Sequence, residues 1–233
     1  MNTTVKDVIS SLKQLTDPKR IAFAATSYPT KMEVLGVVSA NEKLVLAELK
    51  KQLKHSTGRE RINLALDLAK TNIFECQHIA FEFIGRDKKS LEALTANDID
   101  NFFFNLDNWV SVDCYGAYLV GYAWRVGIID TAKVKSFYAS DDFWIRRIAL
   151  VATVSLNQKA RGGTGDAKRT LEICKLAIND HANMINKALS WALRELAKIE
   201  KVSVVDFIEK HQDRLHSRVL KEVRYKLETG RKY

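Results

Sequence analysis

The sequence predicts an all-α fold, and three observations lead to this prediction. Glycine and proline supply only 12 of the 233 residues, so the residues that interrupt helices are scarce. Apolar residues recur at helical spacing in most segments, beginning with positions 5, 8, 9 and 12. No segment alternates convincingly between polar and apolar residues, as a half-buried strand would. Since 46% of the residues are hydrophobic, the predicted helices can also bury a core.

Two short helices are predicted at the start of the chain. The first lies between residues 5 and 15, and Asp17-Pro18 places a proline where the second would begin. Ser39 and Glu42 have the spacing of a capping box, in which the serine oxygen accepts an N–H and the glutamate reaches back. They predict a helix from about residue 40 to 54.

The remaining predicted helices follow from the same periodicity. Their approximate ranges are 58–70, 74–85, 97–104, 109–126, 131–138, 142–156, 168–180, 182–198, 201–210 and 214–228.

Four segments share an opening cap, an apolar pair and later small residues, which indicates a repeat. They begin at Asn72, Asn108, Asp142 and Asn183, so successive starts differ by 36, 34 and 41 residues. These periods are typical of two-helix units of the HEAT or TPR size, which stack so that the inner helices line a concave surface. We therefore predict one HEAT-like, armadillo-type α-solenoid domain over residues 1–233. An irregular helical bundle is the alternative.

The charge of the chain predicts a polyanionic partner. Lysine and arginine total 37 against 28 acidic residues, which gives a formal charge of +9. A compact domain with this charge is expected to have an electropositive face, and nucleic acid is favoured over membrane because no strongly basic amphipathic anchor is present. The sequence has no run of 18 apolar residues, and its start lacks the profile of a signal peptide. We expect a cytoplasmic protein that does not enter membranes.

The cysteines predict neither a disulfide framework nor a metal site. Cys76, Cys114 and Cys174 are odd in number, lie far apart and form no Cys-x-x-Cys pair. We expect them to be buried small hydrophobic residues.

One segment, residues 157–170, breaks the helical pattern because it contains three glycines. Gly162-Gly163 and Gly165-Asp166 supply the positive φ angles that tight hairpin turns need. The segment therefore predicts either a short β-hairpin or a solvated loop. Its basic residues are Lys159, Arg161, Lys168 and Arg169.

Four side chains form a candidate site if the repeats superpose. Trp109 and Asp113 are four residues apart and share a helical face. Arg147 is the fifth residue after its cap, as Asp113 is in the preceding repeat, and Trp191 follows from the next repeat. Taken singly, each has an ordinary explanation, since Trp is most often a core residue and Asp near a helix start favours the helix dipole.

Three motifs, at residues 107–113, 140–147 and 187–195, together resemble those of the AlkD-like DNA alkylation repair enzymes. Their order and spacing also fit, and the likeness extends through residues 32–37 to cover most of the chain. The resemblance implies a HEAT-like array that hydrolyses the N-glycosyl bond of positively charged purines, methylated at N3 or N7, in duplex DNA. It also implies that no metal or cofactor is needed. We further expect a monomer.

The resemblance further implies a role for each candidate residue. Asp113 would stabilise the oxocarbenium-like sugar and position the attacking water, and the faces of Trp109 and Trp191 would pack on the sugar and backbone beside the lesion. Arg147 would hold a phosphate, with Arg194 as a second phosphate contact.

The chain also departs from the catalytic members of this family. Residues 157–170 form a longer connection, and Tyr28-Pro29 disturbs the end of the second helix. A related branch, typified by AlkF and AlkG, carries an inserted β-hairpin and resembles a binder of branched DNA. In that branch the hairpin contacts would be Lys159, Arg161, Lys168 and Arg169.

Three hypotheses therefore remain open from the sequence. The first is a glycosylase acting on duplex DNA, and the second is a weakly active or non-catalytic binder of branched DNA. The third is a HEAT-type protein-interaction scaffold, which explains the fold but leaves the charge of +9 without a purpose.

Overall fold

Helices account for all the regular secondary structure that the computed structural model shows in residues 4–233, the part of the chain that it describes. Two isolated bridges, Thr16 with Val37 and Glu33 with Ile73, tie connections together without forming a strand in this range. The all-α prediction is confirmed. None of the described helices combines the length and the apolar character that crossing a membrane requires.

The first of two structural units extends to Leu119. Its helices are α1 (Val5–Lys13), α2 (Pro18–Ser27), α3 (Ser39–Gln52), α4 (Gly58–Ala69), α5 (Phe74–Gly85), α6 (Lys88–Glu92), α7 (Ala96–Asn101) and α8 (Trp109–Cys114).

The second unit runs from Val120 to Tyr233. Its helices are α9 (Gly121–Arg125), α10 (Thr131–Tyr138), α11 (Phe143–Asn157), α12 (Ala167–Leu176), α13 (Asn183–Leu196), α14 (Lys201–His211) and α15 (Ser217–Thr229). That residues 1–233 form one repeat domain stays a prediction.

Most predicted helices are present, and the differences have local causes. The predicted helix 109–126 is interrupted by a π-helical segment, Tyr115–Val120, and the predicted helix 97–104 ends at Asn101. Helix α6 was not predicted. Asp87 caps it by accepting the N–H of Ser90 at 2.8 Å, so a single side chain starts a helix too short for periodicity to show.

The capping box predicted at Ser39 and Glu42 is wrong. Helix α3 is preceded by Val38, whose side chain makes no capping hydrogen bond. Glu42 is buried and its Oε2 lies 2.6 Å from Nδ1 of His78 on α5. The partly buried imidazole offers this carboxylate a stronger partner than a backbone N–H at the helix start, so tertiary contact overrides the local motif.

Each unit has its own buried helices. In the first, α4 packs on α5, whose Ile79, Phe81, Phe83 and Ile84 are almost completely buried. In the second, α11 is buried at every position from residue 147 to 157 and packs against α9, α10, α12 and α13. Helix α13 also packs on α15. Both units therefore hold their candidate site residues on helices that the core keeps in place.

The predicted β-hairpin at residues 157–170 is absent, and the segment is not a solvated loop either. Helix α11 is followed by a 3₁₀ turn, Lys159–Arg161, and by a connection that leads into α12. The Gly163 N–H donates to the Gln158 carbonyl at 3.1 Å, and the Gly165 N–H donates to the Leu156 carbonyl at 3.1 Å. The glycine amides thus cap the end of α11 and are not available to pair with a second strand.

Asn157 fixes this connection from inside the second unit. The Asn157 side chain is buried, its Nδ2 donates to Oγ1 of Thr170 at 2.8 Å, and its Oδ1 accepts the Asp166 N–H at 3.1 Å. Asp166 in turn caps α12 by accepting the Arg169 N–H. The connection is therefore a packed structure built on one buried amide.

Replacing Gly163 by alanine should destabilise the protein by about 2 kcal/mol. A Cβ at this position would lie 2.7 Å from the carbonyl carbon and oxygen of Leu156, so the backbone would have to move. The unfolding free energy from urea titration measures the loss, with Thr164→Ala at an exposed neighbouring position as the control. A loose loop would instead gain stability from the alanine, so an unchanged or higher value would contradict the packed connection.

Candidate functional site

The start of α8 is fixed by Asn108, which is completely buried. Its Oδ1 accepts the N–H of Ser111 at 3.0 Å and its Nδ2 donates to Ser111 Oγ at 3.0 Å. Such a cap sets where the first helical turn begins. The positions of Trp109 and Asp113 relative to the core of the first unit follow from it.

Trp109 presents an exposed indole in a fixed orientation. The residue is 39% exposed, and its Nε1 donates to the Ser27 carbonyl at 2.9 Å. The ring lies edge-on to Tyr28, with centroids 6.4 Å apart and an interplanar angle of 87°. Tyr28 is itself stacked on Phe74 at 4.8 Å. A large aromatic surface therefore faces solvent, and its contacts with Ser27 and Tyr28 hold it in place. We call these contacting residues the support of Trp109.

Residues 27–31 form part of this support, which sequence reasoning missed. Asp107 accepts hydrogen bonds from Thr30 Oγ1 and from the Lys31 N–H, each at 2.7 Å. The Tyr28-Pro29 pair, which in the sequence only marked the end of the second helix, brings the Tyr28 ring against Trp109 and Phe74. A tyrosine directly before a proline at a helix end was the only local signal.

Asp113 lies one turn beyond Trp109 on α8 and is half-buried. Because the two residues are four apart in a helix, they project from the same face. The predicted pairing of an aromatic and a carboxylate is thus present within the first unit.

Two adjacent arginines at the start of α11 have different partners. Nε of Arg146 donates to Asp180 at 2.8 Å, and this carboxylate also accepts the Tyr138 hydroxyl at 3.0 Å. Arg147 is only 5% exposed, and its NH1 donates to the Met184 carbonyl at 2.5 Å. Arg147 therefore lies against the first turn of α13. Its predicted contact with a phosphate stays a prediction.

Helix α13 carries the other two predicted residues. Trp191 is half-buried, and its Nε1 donates to Glu195 at 3.3 Å. Nε of Arg194 donates to the Ser190 carbonyl at 3.2 Å, and NH2 of Arg194 lies 3.7 Å from Glu222. The Arg194 guanidinium thus has protein partners on α13 and α15. Lys187, one turn before Trp191 on the same face, is exposed and was missed by the sequence analysis as a candidate.

The four basic residues of the 157–170 segment also differ in exposure. Lys159 and Lys168 are exposed, and Arg161 donates to Gln158 at 2.6 Å. Arg169 pairs with Asp166 at 2.6 Å, donates to the Trp124 carbonyl at 2.8 Å and lies over the Trp124 ring. Arg169 therefore helps to hold α12 in place.

The net charge is confined to the second unit. Residues 1–119 contain 15 basic and 15 acidic side chains, whereas residues 120–233 contain 22 basic and 13 acidic ones. The difference of 9 accounts for the whole formal charge of +9. A polyanion is consequently attracted by the unit that carries Arg147, Lys187 and Arg194.

Comparison with known proteins decides the family. The family model for the DNA alkylation repair enzyme matches residues 8–227, almost the whole chain. The chain belongs to the DNA alkylation repair enzyme family. Membership assigns it a role in DNA repair, with DNA as its partner.

A solved structure supports the fold of this family member. It is described as a predicted DNA alkylation repair enzyme from Enterococcus faecalis and aligns with a TM-score of 0.70. The alignment covers 89% of this chain and 94% of the other at 15% sequence identity, so it concerns the fold alone. Together with the helices described above, it confirms the predicted fold class. No curated protein sequence matches the chain.

The family's predicted site residues divide between the two units. Trp109 and Asp113 belong to the first, and Arg147, Trp191 and Arg194 to the second. That all five line one concave DNA-binding face stays a prediction. Among the described residues, no group of three histidine, cysteine or acidic side chains could hold a metal ion.

The expectation that all three cysteines are buried is wrong for one of them. Cys76 and Cys174 are buried, but Cys114 at the end of α8 is partly exposed. Helical spacing alone could not show this difference, because it depends on how closely α8 and α5 pack.

Proposed function

We propose that this family member is a DNA glycosylase that excises cationic purines, methylated at N3 or N7, from duplex DNA. The observation that carries the proposal is the face of α8, where the exposed, supported indole of Trp109 stands one turn from the carboxylate of Asp113. An aromatic face and a carboxylate are the two groups that stabilise a developing positive charge without a cofactor.

The chemistry needs little more than electrostatic stabilisation. A methylated, positively charged purine leaves with the electron pair of its bond to C1′ and becomes neutral. The sugar then bears an oxocarbenium-like charge, which the Asp113 carboxylate stabilises as a carboxylate does in glycoside hydrolysis. Water adds to C1′ and loses a proton, so the products are the free base and an abasic site. The same carboxylate orients that water.

The aromatic residues position the damaged nucleotide in this proposal. Trp109 packs on the sugar or backbone beside the lesion, and Trp191 acts from α13. Because the Trp109 indole is held by Ser27 and Tyr28, little side-chain entropy is lost when DNA binds.

The second unit supplies the part of the DNA affinity that does not depend on the base sequence. Its excess of basic residues attracts the phosphate backbone, and Lys187 and Arg194 hold individual phosphates near the lesion. Arg194 exchanges its contact with Glu222 for a phosphate when DNA binds.

Replacing Lys187 by alanine should weaken DNA binding and lower the slope of log affinity against log salt by about 0.9, because one phosphate contact is lost. Fluorescence anisotropy with a labelled duplex over a range of salt concentrations measures both quantities. Lys88→Ala is the matched control, since Lys88 is exposed and lies in the unit without net charge. Equal losses in the two variants would contradict the placement of the binding surface.

The branched-DNA hypothesis loses the feature that favoured it. It depended on an inserted hairpin at residues 157–170, and this segment instead caps α11 and leads into α12. A duplex substrate is therefore the better supported choice.

The decisive experiment incubates the purified protein with methylated duplex DNA and quantifies the free N3- and N7-methylpurines. Release above the spontaneous rate is the expected result. No release, together with salt-sensitive binding to the same duplex, would overturn the glycosylase proposal and leave a DNA-binding member of the repair family.

A further inference from the structure

Residues 213–233, in the second unit, carry a large share of the positive charge of the chain. They contain seven basic and three acidic side chains and so supply 4 of the formal charge of +9. Most of this segment is helix α15, which packs on α13. Helix α13 bears Lys187 and Arg194, the two phosphate contacts proposed above. The basic segment therefore adjoins the surface to which the proposal assigns the DNA backbone.

Three cations of this segment lie on the side of α15 that is next to α13. Arg218 and Lys221 are three residues apart in the helix, so they share a face, and both are exposed. NH1 of Arg218 donates to Oδ1 of Asn183, the first residue of α13, at 3.4 Å. In the turn before α15, Nε of the exposed Arg214 donates to Oδ1 of Asn179 at 3.0 Å. We call Arg214, Arg218 and Lys221 the C-terminal row.

The C-terminal row continues the basic face of α13. Lys187 is one turn beyond Asn183 and projects from the same face of α13. Because Arg218 reaches Asn183, its guanidinium lies on the same surface of the second unit as the Lys187 ammonium. Glu222, one turn after Arg218, lies 3.7 Å from NH2 of Arg194. The cations of the two helices are therefore side by side.

The partners of the C-terminal row orient its cations without cancelling their charge. The side-chain amide oxygens of Asn179 and Asn183 are neutral acceptors. Nζ of Lys221 lies over the ring of Tyr233, 4.8 Å from the ring centroid, and this partner is also uncharged. The three side chains are thus held in place while their positive charge stays available to an anion.

An arginine with a structural role in the same unit is held differently. Nε of Arg146 pairs with the carboxylate of Asp180 at 2.8 Å, a short contact between opposite charges. Nε of Arg218 lies 4.0 Å from the Glu222 carboxylate, which is beyond hydrogen-bonding distance. An anionic ligand can therefore displace the partners of Arg218 more easily than it can displace Asp180 from Arg146.

We propose that the C-terminal row binds the backbone phosphates of duplex DNA and extends the binding surface of the second unit beyond Lys187 and Arg194. A guanidinium held by a neutral amide exchanges that partner for a phosphate oxygen, which is a stronger acceptor because it is charged. Since the amides already orient both arginines, little side-chain entropy is lost on binding. The inference rests on the proposed binding of DNA by the second unit, but not on base release.

Fluorescence anisotropy with a labelled, unmethylated duplex over a range of salt concentrations tests the inference. Arg218→Ala should lower the slope of log affinity against log salt by about 0.9, because one phosphate contact is lost. Replacing the whole C-terminal row by alanine should lower the slope by about 2.7 and weaken binding more than ~10-fold at about 0.1 M salt. Unchanged slopes would overturn the inference and leave the glycosylase proposal standing.

Arg224→Ala is the matched control on the same helix. Arg224 follows Arg218 by six residues, so it projects from α15 about 120° away. Its NH2 donates to Oε1 of Gln212, at the end of α14, at 3.2 Å. The substitution removes the same charge as Arg218→Ala, so its slope should match that of the unmodified protein if the contacts are local. Equal losses in the two variants would mean long-range attraction only and would contradict the C-terminal row.

A second measurement locates the contacts on the DNA. Single phosphates of the duplex are replaced in turn by uncharged methylphosphonates, and the affinity of each duplex is measured for the unmodified protein and for the triple variant. At the phosphates that the C-terminal row binds, the replacement should weaken binding of the unmodified protein and leave that of the triple variant unchanged. If the two proteins respond alike at every phosphate, the inference is wrong.

The result is separable from folding and from base release. Thermal melting shows whether each variant is folded, and if the triple variant is not, the three single variants decide. The DNA carries no methylated base, so a protein without glycosylase activity would give the same slopes. If the unmodified protein does not bind the duplex in a salt-dependent way, the inference is overturned together with the proposed DNA contacts of the second unit.

Discussion

Replacing Asp113 by asparagine should lower the rate of methylpurine release by at least ~10³-fold. The amide keeps the size and position of the side chain but removes the negative charge that stabilises the oxocarbenium-like sugar. Affinity for the same duplex should change less than about 2-fold, because phosphate contacts from the second unit dominate binding. Single-turnover release of N3- and N7-methylpurines and anisotropy measure the two quantities.

Asp67→Asn is the matched control for this variant. Asp67 is an exposed carboxylate in the same unit, so the substitution makes the same change in charge away from α8. Its rate of base release should equal that of the unmodified protein. If Asp113→Asn retained full release, another group would have to stabilise the sugar and the assignment of Asp113 would be wrong.

Replacing Glu75 by alanine should lower the free energy of unfolding by about 3 to 5 kcal/mol. Glu75 is 1% exposed, and its carboxylate accepts three backbone N–H groups, from Leu35 at 3.0 Å, Gly36 at 2.7 Å and Val37 at 3.2 Å. Alanine would leave all three donors buried without an acceptor. Urea titration followed by circular dichroism measures the loss.

Two further variants make this prediction specific. Glu75→Gln should lose less stability than Glu75→Ala, because the amide oxygen can still accept some of the three backbone N–H groups. Glu48→Ala, at an exposed position of α3, should change stability by less than about 0.5 kcal/mol. A loss of less than about 1 kcal/mol in Glu75→Ala would show that other contacts hold residues 35–37 in place.

The loss of stability expected for Glu75→Ala should also affect the candidate site. Glu75 fixes residues 35–37, and the connection before them contains Tyr28 and Met32, which pack with Phe74 in one buried cluster. This cluster supports the Trp109 ring. Loosening it should therefore slow base release as well as reduce stability, even though Glu75 touches no DNA in the proposal.

The helices with long apolar faces were predicted closely. The predicted range 142–156 became α11 at Phe143–Asn157, and the predicted 74–85 became α5 at Phe74–Gly85. Periodicity was sufficient because a helix of three or more turns must bury a continuous apolar face, whatever it packs against. The short α6 and the π-helical segment Tyr115–Val120 carry no such pattern and were missed.

The partners of polar side chains were not predictable in the same way. Glu42 had the spacing of a cap but pairs with His78, and Cys114 resembled the other cysteines in sequence but is partly exposed. Arg169 pairs with Asp166 and lies over Trp124, partners that the sequence did not indicate, and its contact with DNA stays a prediction. A polar group has several local options, and the choice among them depends on residues far away in sequence.

By itself, the sequence determined the helical class, the order of the long helices, the surplus of positive charge and the motifs at residues 107–113, 140–147 and 187–195 that suggested the repair family. The tertiary structure decided that the segment after α11 is a packed cap, that Trp109 is supported by Ser27 and Tyr28, and that Glu42 pairs with His78. The physical reason is the distance along the sequence over which each effect acts. Periodicity and composition act along the chain, whereas the satisfaction of buried amides, carboxylates and thiols is settled only when distant segments pack together.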